Sequence, residues 1–136
     1  MIEVSEHRVE QHFPTTVLIR TFAAVSELNG SLQQLFDHLE QNPSGDYTNE
    51  ATLPVNTTQG GYQTKSGLRV LELDHPEIRQ LRQEIVMPSI EHYLDDVLKV
   101  DPLFTPIEIS SWVVSLGAGD WQAPHFHPTE YTLISG

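Results

Sequence analysis

Between Pro106 and Gly117 the chain reads Ile-Glu-Ile-Ser-Ser-Trp-Val-Val-Ser-Leu, a run rich in β-branched and aromatic residues that favours extended backbone. Pro106 bounds one end and Gly117-Ala118-Gly119 turns the chain at the other, so residues 107–116 are expected to form a strand. The turn leads into Asp120-Trp121-Gln122-Ala123-Pro124-His125-Phe126-His127-Pro128. Side chains alternate along an extended segment, so His125 and His127 point to the same side and can grip one metal ion. They are the candidate metal ligands. Asp120 and Glu130 are the nearby carboxylates, but Glu130 lies three residues past His127 and would face away from the pair unless the chain bends at Pro128-Thr129.

The earlier part of the chain carries helices. Residues 13–20, with Val17-Leu18-Ile19 behind Pro14, read as a short strand, and His7 and His12 before it as part of an N-terminal arm. Ser26 can cap a helix whose Leu28, Leu32, Leu35, Phe36 and Leu39 share one face and which ends near Asn42-Pro43. Residues 44–67 are rich in Gly, Thr, Asn and Pro, which predicts a long loop, either a functional one, a lid with Gly60, Gly61 and Tyr62 as hinge and wall, or a poorly ordered surface loop of no catalytic relevance. Residues 68–73 are a strand candidate. At Asp74-His75-Pro76-Glu77 a second helix begins, Asp74 accepting from exposed backbone donors and Pro76 sitting where its missing N–H costs nothing. It runs to about Lys99 with Ile78, Leu81, Ile85, Ile90, Leu94, Val97 and Leu98 as its buried stripe, and Pro88 kinks or divides it.

Helices early and strands late suggest an α+β fold, one domain over residues 1–136, with helices covering a mainly antiparallel sheet. Trp112 is expected in the core, and Trp121 either there or walling a pocket. His7, His12, His38, His75 and His92 are expected in structural or solvent-facing roles.

Composition removes several functions. Seven Lys and Arg against 19 Asp and Glu give a formal charge of -12, which repels nucleic acid and anionic lipid alike. The chain has no cysteine, so thiol nucleophiles and Cys-based zinc sites are excluded. No window approaches the apolar length of a membrane span and no secretory leader is visible, so a cytoplasmic location without membrane association is expected.

The string Ile109-Ser-Ser-Trp112-Val-Val-Ser-Leu-Gly117-Ala-Gly119-Asp-Trp121-Gln-Ala-Pro-His125-Phe-His127-Pro128, continued by Leu133-Ile-Ser135-Gly136, resembles the metal-site region of a subfamily of 2-oxoglutarate- and Fe(II)-dependent oxygenases. In that subfamily a Trp-bearing strand leads through a Gly turn to His-x-His-Pro and then to Ser-Gly. Gly60-Gly61-Tyr62-Gln63-Thr64 is similar to a Gly-Gly-aromatic-Gln-Ser/Thr element of the same proteins. The likeness covers the second half of the chain, and the helices only by pattern.

The resemblance implies a double-stranded β-helix, or jelly roll, with helices on its outer face. It also implies hydroxylase-type dioxygenase chemistry with Fe(II) and 2-oxoglutarate as cofactors. Only His125 and His127 carry over as iron ligands; the family's distal His and its basic anchor for 2-oxoglutarate have no counterpart, and a second His stands where a carboxylate is usual. The chain stops within an apolar stretch at Leu133-Ile134, from which we expect a truncated, inactive domain that forms a homodimer through its C-terminal strand region. A cupin is the alternative, since Gly119, five residues and His125-Phe-His127 open the cupin metal motif, although Glu130 comes early and Gly136 is displaced. A third reading is a non-catalytic, self-associating module.

Overall fold

The N-terminal strands owe their pairing to a run of β-branched residues in the second of them. In the computed structural model, which describes residues 2–12 and 15–125, β1 (Glu3–His12) pairs antiparallel with β2 (Thr15–Ala23) in a hairpin that sets His7 opposite Arg20. The expected arm is thus a strand. An extra residue between Val4 and Glu6 shifts the register once. No hairpin side chain among the described residues is fully buried. A lone two-stranded hairpin is marginal in water, so it depends on what it rests against.

Helix α1 (Ser26–Gln41) follows as expected, burying Leu28, Leu35 and Leu39. Asn42 finishes it, donating to His38 O from both its backbone N–H and its side-chain amide. The second helix runs over residues 76–98 in four consecutive pieces: α2 (Pro76–Gln80), a π-helical segment (Leu81–Val86), α3 (Met87–His92) and another π-helical segment (Tyr93–Leu98). The division expected at Pro88 is there, and its form has a physical cause. Proline lacks an N–H and its ring collides with the carbonyl four residues back, so the turn before it widens and Met87 N–H reaches Arg82 O instead. Wider turns also rotate the stripe. Ile78, Ile90 and Leu94 are buried, whereas Leu98 has turned outward to 41% exposure. Lys99, in the left-handed region at φ 57°, ends the helix with its N–H on Leu94 O.

Three further expectations are corrected. Asp74 does not cap the second helix; His75 is the capping position, without a side-chain bond, and Asp74 pairs with Arg79. Residues 68–73 form 3₁₀ turns, Ser66–Leu68 and Val70–Glu72, because Arg69 between them takes a left-handed conformation at φ 55° that no strand tolerates. Of residues 107–116 only β5 (Val114–Ser115) joins a strand ladder. Val113 N–H donates to the Thr64 hydroxyl at 3.0 Å rather than to a carbonyl, and a side chain in a carbonyl's place ends the ladder.

The expected loop of residues 44–67 contains strands, β3 (Thr58–Gln59) and β4 (Tyr62–Gln63), and two 3₁₀ turns, Gly45–Tyr47 and Glu50–Thr52. With β6 (Trp121–Gln122) they complete three two-stranded antiparallel pieces, β1-β2, β3-β6 and β4-β5. The architecture is mixed helix and antiparallel sheet, α+β as expected; the described strands do not make up a jelly roll. The chain groups into two units, Met1–Gln33 with Leu71–Glu108, and Gln34–Val70 with Ile109–Gly136. Among the described residues no helix is long and apolar enough to cross a membrane.

Ile78 is fully buried in the first unit, so Ile78→Ala is expected to cost about 2–5 kcal/mol of unfolding free energy by urea titration. Leu103→Ala, at a residue 88% exposed, should stay within about 0.5 kcal/mol of the parent.

Candidate functional site

The two sequence elements singled out above meet in the second unit. β3 pairs with β6, Thr58 facing Gln122 and Gln59 facing Trp121, and β4 pairs with β5, Tyr62 facing Ser115 and Gln63 facing Val114. Gly60 and Gly61 join β3 to β4 at φ 73° and 63°, letting the chain leave one partner strand and join another within two residues. A Cβ on Gly60 would stand 2.1 Å from Asp120 Oδ1, and one on Gly61 2.2 Å from Ser115 O. Only glycine fits either place. Asp120 closes its own turn, accepting from Gly117 N–H at 2.8 Å, so this carboxylate pins the loop ahead of the histidines.

Beneath the turn lies a buried polar network. Thr58 and Thr64 are wholly buried and Gln63 nearly so. The Thr58 hydroxyl donates to Gln63 Oε1 at 2.5 Å and accepts from Gln122 Nε2 at 3.0 Å. Asn49 Oδ1 accepts from the backbone of Ala51 and Gln63, and its amide donates to Gly61 O. Satisfied groups of this kind fix one arrangement, since each would lose its partner in any other. Tyr62, expected as a loop wall, is a core residue at 1% exposure, its hydroxyl donating to Tyr47 O at 3.0 Å. Burial, then the negative charge of Glu40, pushes its pKa above the usual value.

His125 follows directly from this framework. Ala123 N–H donates to Thr57 O at 2.8 Å, carrying the β3-β6 pairing past the strand, and His125 is exposed two residues later. Its Nδ1 lies 2.8 Å from Ala123 O, which makes Nδ1 the donor and leaves the lone pair on Nε2. His127 and Glu130 lie outside the described residues, as do Leu133 and Ile134 of the expected dimer edge. Trp121 is 55% exposed and so not a core residue, and Trp112 is half-buried.

A second grouping was not expected from the sequence. In the first unit His7 Nε2 lies 3.2 Å from His92 Nε2, and His92 Nε2 lies 2.5 Å from Asp96 Oδ2. His92 and Asp96 are four residues apart on a helix, the one signal that the sequence offered; nothing local to His7 points to them. Of the other histidines, His12 pairs with Glu10, His38 lies beside the Asn42 amide and His75 caps the second helix.

Comparison of the chain with known protein families, with curated proteins and with solved structures gives no match in any of the three.

Gly61→Ala must strain the backbone and move Ser115, so a loss of at least about 1–3 kcal/mol in unfolding free energy is expected. Alkaline pH offers a separate check on Tyr62. Its folded pKa is raised, so its contribution is intact below the unfolded value of about 10 and is lost as pH rises beyond it. Melting temperature should fall above that pH in the parent and less steeply in Tyr62→Phe.

Proposed function

We propose that this chain carries the metal-binding strand of a non-heme Fe(II)- and 2-oxoglutarate-dependent oxygenase of the hydroxylase type. In this reading residues 34–70 and 109–136 belong to a double-stranded β-helix, and His125 and His127 hold the iron. The observation that supports it is the pairing of the strands on either side of Gly60-Gly61 with the later segment, Tyr62-Gln63 with Val114-Ser115 and Thr58-Gln59 with Trp121-Gln122. The resemblance joined these elements by likeness alone, and more than fifty residues of chain separate them. They form one hydrogen-bonded framework, with Asp120 packed on the glycines and His125 leading out of it.

The donor chemistry fits the metal. A ligating histidine ordinarily donates its second ring N–H to a carbonyl or carboxylate, which fixes the tautomer and aims the other nitrogen. His125 does this through Ala123 O, and Ala123 is held in turn by Thr57. When bound, iron with 2-oxoglutarate and O₂ supplies the oxidising power for hydroxylating a C–H bond. The chain's own residues contribute orientation: Thr57, Thr58 and Gln122 set the direction of the segment that bears the imidazole, and Pro124 limits its rotation. Asp120 is committed to the Gly117 amide, which favours an iron ligand set completed by residues other than Asp120.

Mn(II), a paramagnetic stand-in for Fe(II), reads the site by position. It is expected to broaden the amide resonances of residues 121–127 in the parent and to leave them sharp in His125→Ala/His127→Ala. Unchanged broadening in the double variant would remove the pair from the site. Addition of 2-oxoglutarate, whose keto-acid end can chelate the bound ion without the family's basic anchor, should alter the broadening.

A further inference from the structure

The hairpin β1-β2 presents an imbalance. Its twenty-odd residues bury no described side chain fully, yet it is held to the second helix at several polar points. Tyr93 donates to Thr16 O at 3.3 Å, Arg20 Nη1 donates to the Ser89 hydroxyl at 3.0 Å, and Ile2 N–H donates to Glu84 Oε2 at 3.2 Å. Between these points stand His7, from the middle of β1, and His92 and Asp96, one turn apart on the helix.

We propose that His7, His92 and Asp96 form a binding site for a divalent cation of the zinc class, distinct from His125 and His127, which clamps the hairpin to the helix. The donor atoms all lie within 4.8 Å of one another. The imidazole rings meet edge to face, with centroids 4.4 Å apart and planes at 80°, and do not stack. Two nitrogens bound at about 2.0–2.1 Å to one tetrahedral ion stand about 3.3 Å apart, and here they stand 3.2 Å apart. Two facing imidazole nitrogens can share only one proton, whereas a cation uses the lone pairs of both. Asp96 Oδ2, 2.5 Å from His92 Nε2, is the third donor, and its charge offsets part of the cation's.

Two neutral imidazoles and a carboxylate suit Zn(II), Co(II) or Ni(II) over Mg(II) or Ca(II), which take oxygen ligands. His7 and Asp96 are exposed, so water can complete the coordination. Arg20, opposite His7 in the ladder, is the adverse charge; its guanidinium is drawn off to Ser89 and lies over the Phe22 ring at 5.2 Å. Such a site joins two parts of the chain 85 residues apart, and cross-links of that span act where packing is thinnest.

Co(II) is the probe, used on the full chain with His125→Ala/His127→Ala so that the oxygenase reading cannot contribute. One equivalent is expected to give visible d–d bands of four-coordinate intensity, bleached by Zn(II). His7→Ala, His92→Ala and Asp96→Asn should each weaken binding at least ten-fold with unchanged circular dichroism, while His7→Asp, which retains a ligand, should recover part of it. Zn(II) should also slow amide exchange in β1 and β2, but not in His7→Ala. Absence of the bands, or bands and exchange protection that survive His7→Ala, would overturn the site. Neither result touches the broadening at residues 121–127, on which the oxygenase proposal stands or falls.

Discussion

Two missing side chains hold the second unit together. At Gly60 and Gly61 the backbone of one turn presses against the carboxylate of Asp120 and the carbonyl of Ser115, at distances no Cβ could share. From that closeness the rest follows. The chain can abandon β6 and pair with β5 within two residues, Thr58 and Gln63 are driven inward where their side chains bond each other and the Thr58 hydroxyl meets Gln122, and Asp120 is placed to clamp its own turn. A buried polar network costs more than it returns if any member is unpaired, so the glycines and the network require one another.

Long-period features were legible from the sequence and short-range hydrogen bonding was not. The leucine stripe of α1 and the apolar stripe of the second helix give their elements to within a residue or two, because burial repeats over many turns and one misplaced residue does not erase it. Pro88 could be read as a break but not as a widened turn, and the rotation that exposes Leu98 is therefore invisible in the pattern. The strand expected over residues 107–116 has the right composition throughout; a single hydroxyl, that of Thr64, takes the place of a carbonyl and ends the ladder. Residues 44–67 misled in the opposite sense. Their Gly and Asn content marks turns correctly, but strands of two residues are too short to show a period.

The candidate sites divide along the same line. His125 could be picked out because its neighbours in sequence, Pro124 and the glycine turn, announce an extended and stiffened segment. His7 and His92 could not, since what makes them a pair is hairpin register and helix rotation acting together. Side chains that converge from distant parts of a chain leave no local trace. Asp120 illustrates the converse: it looked like a spare carboxylate near the histidines and is in fact part of the scaffold.

The order in which the β pairs can form follows from their spacing. β1 and β2 are separated by only two residues of sequence, so their pairing can close within microseconds. β3 and β6 must find each other across 64 residues, a loop that contains the whole second helix. Closing it costs entropy that only the last contacts repay, so the second unit is the slow step of folding and the stage most exposed to mispairing. During synthesis Thr58 and Gln63 leave the ribosome long before Gln122 exists. Their hydroxyl and amide wait in water for a partner that arrives at the end, and the imidazole of His125 takes its place only when that wait is over.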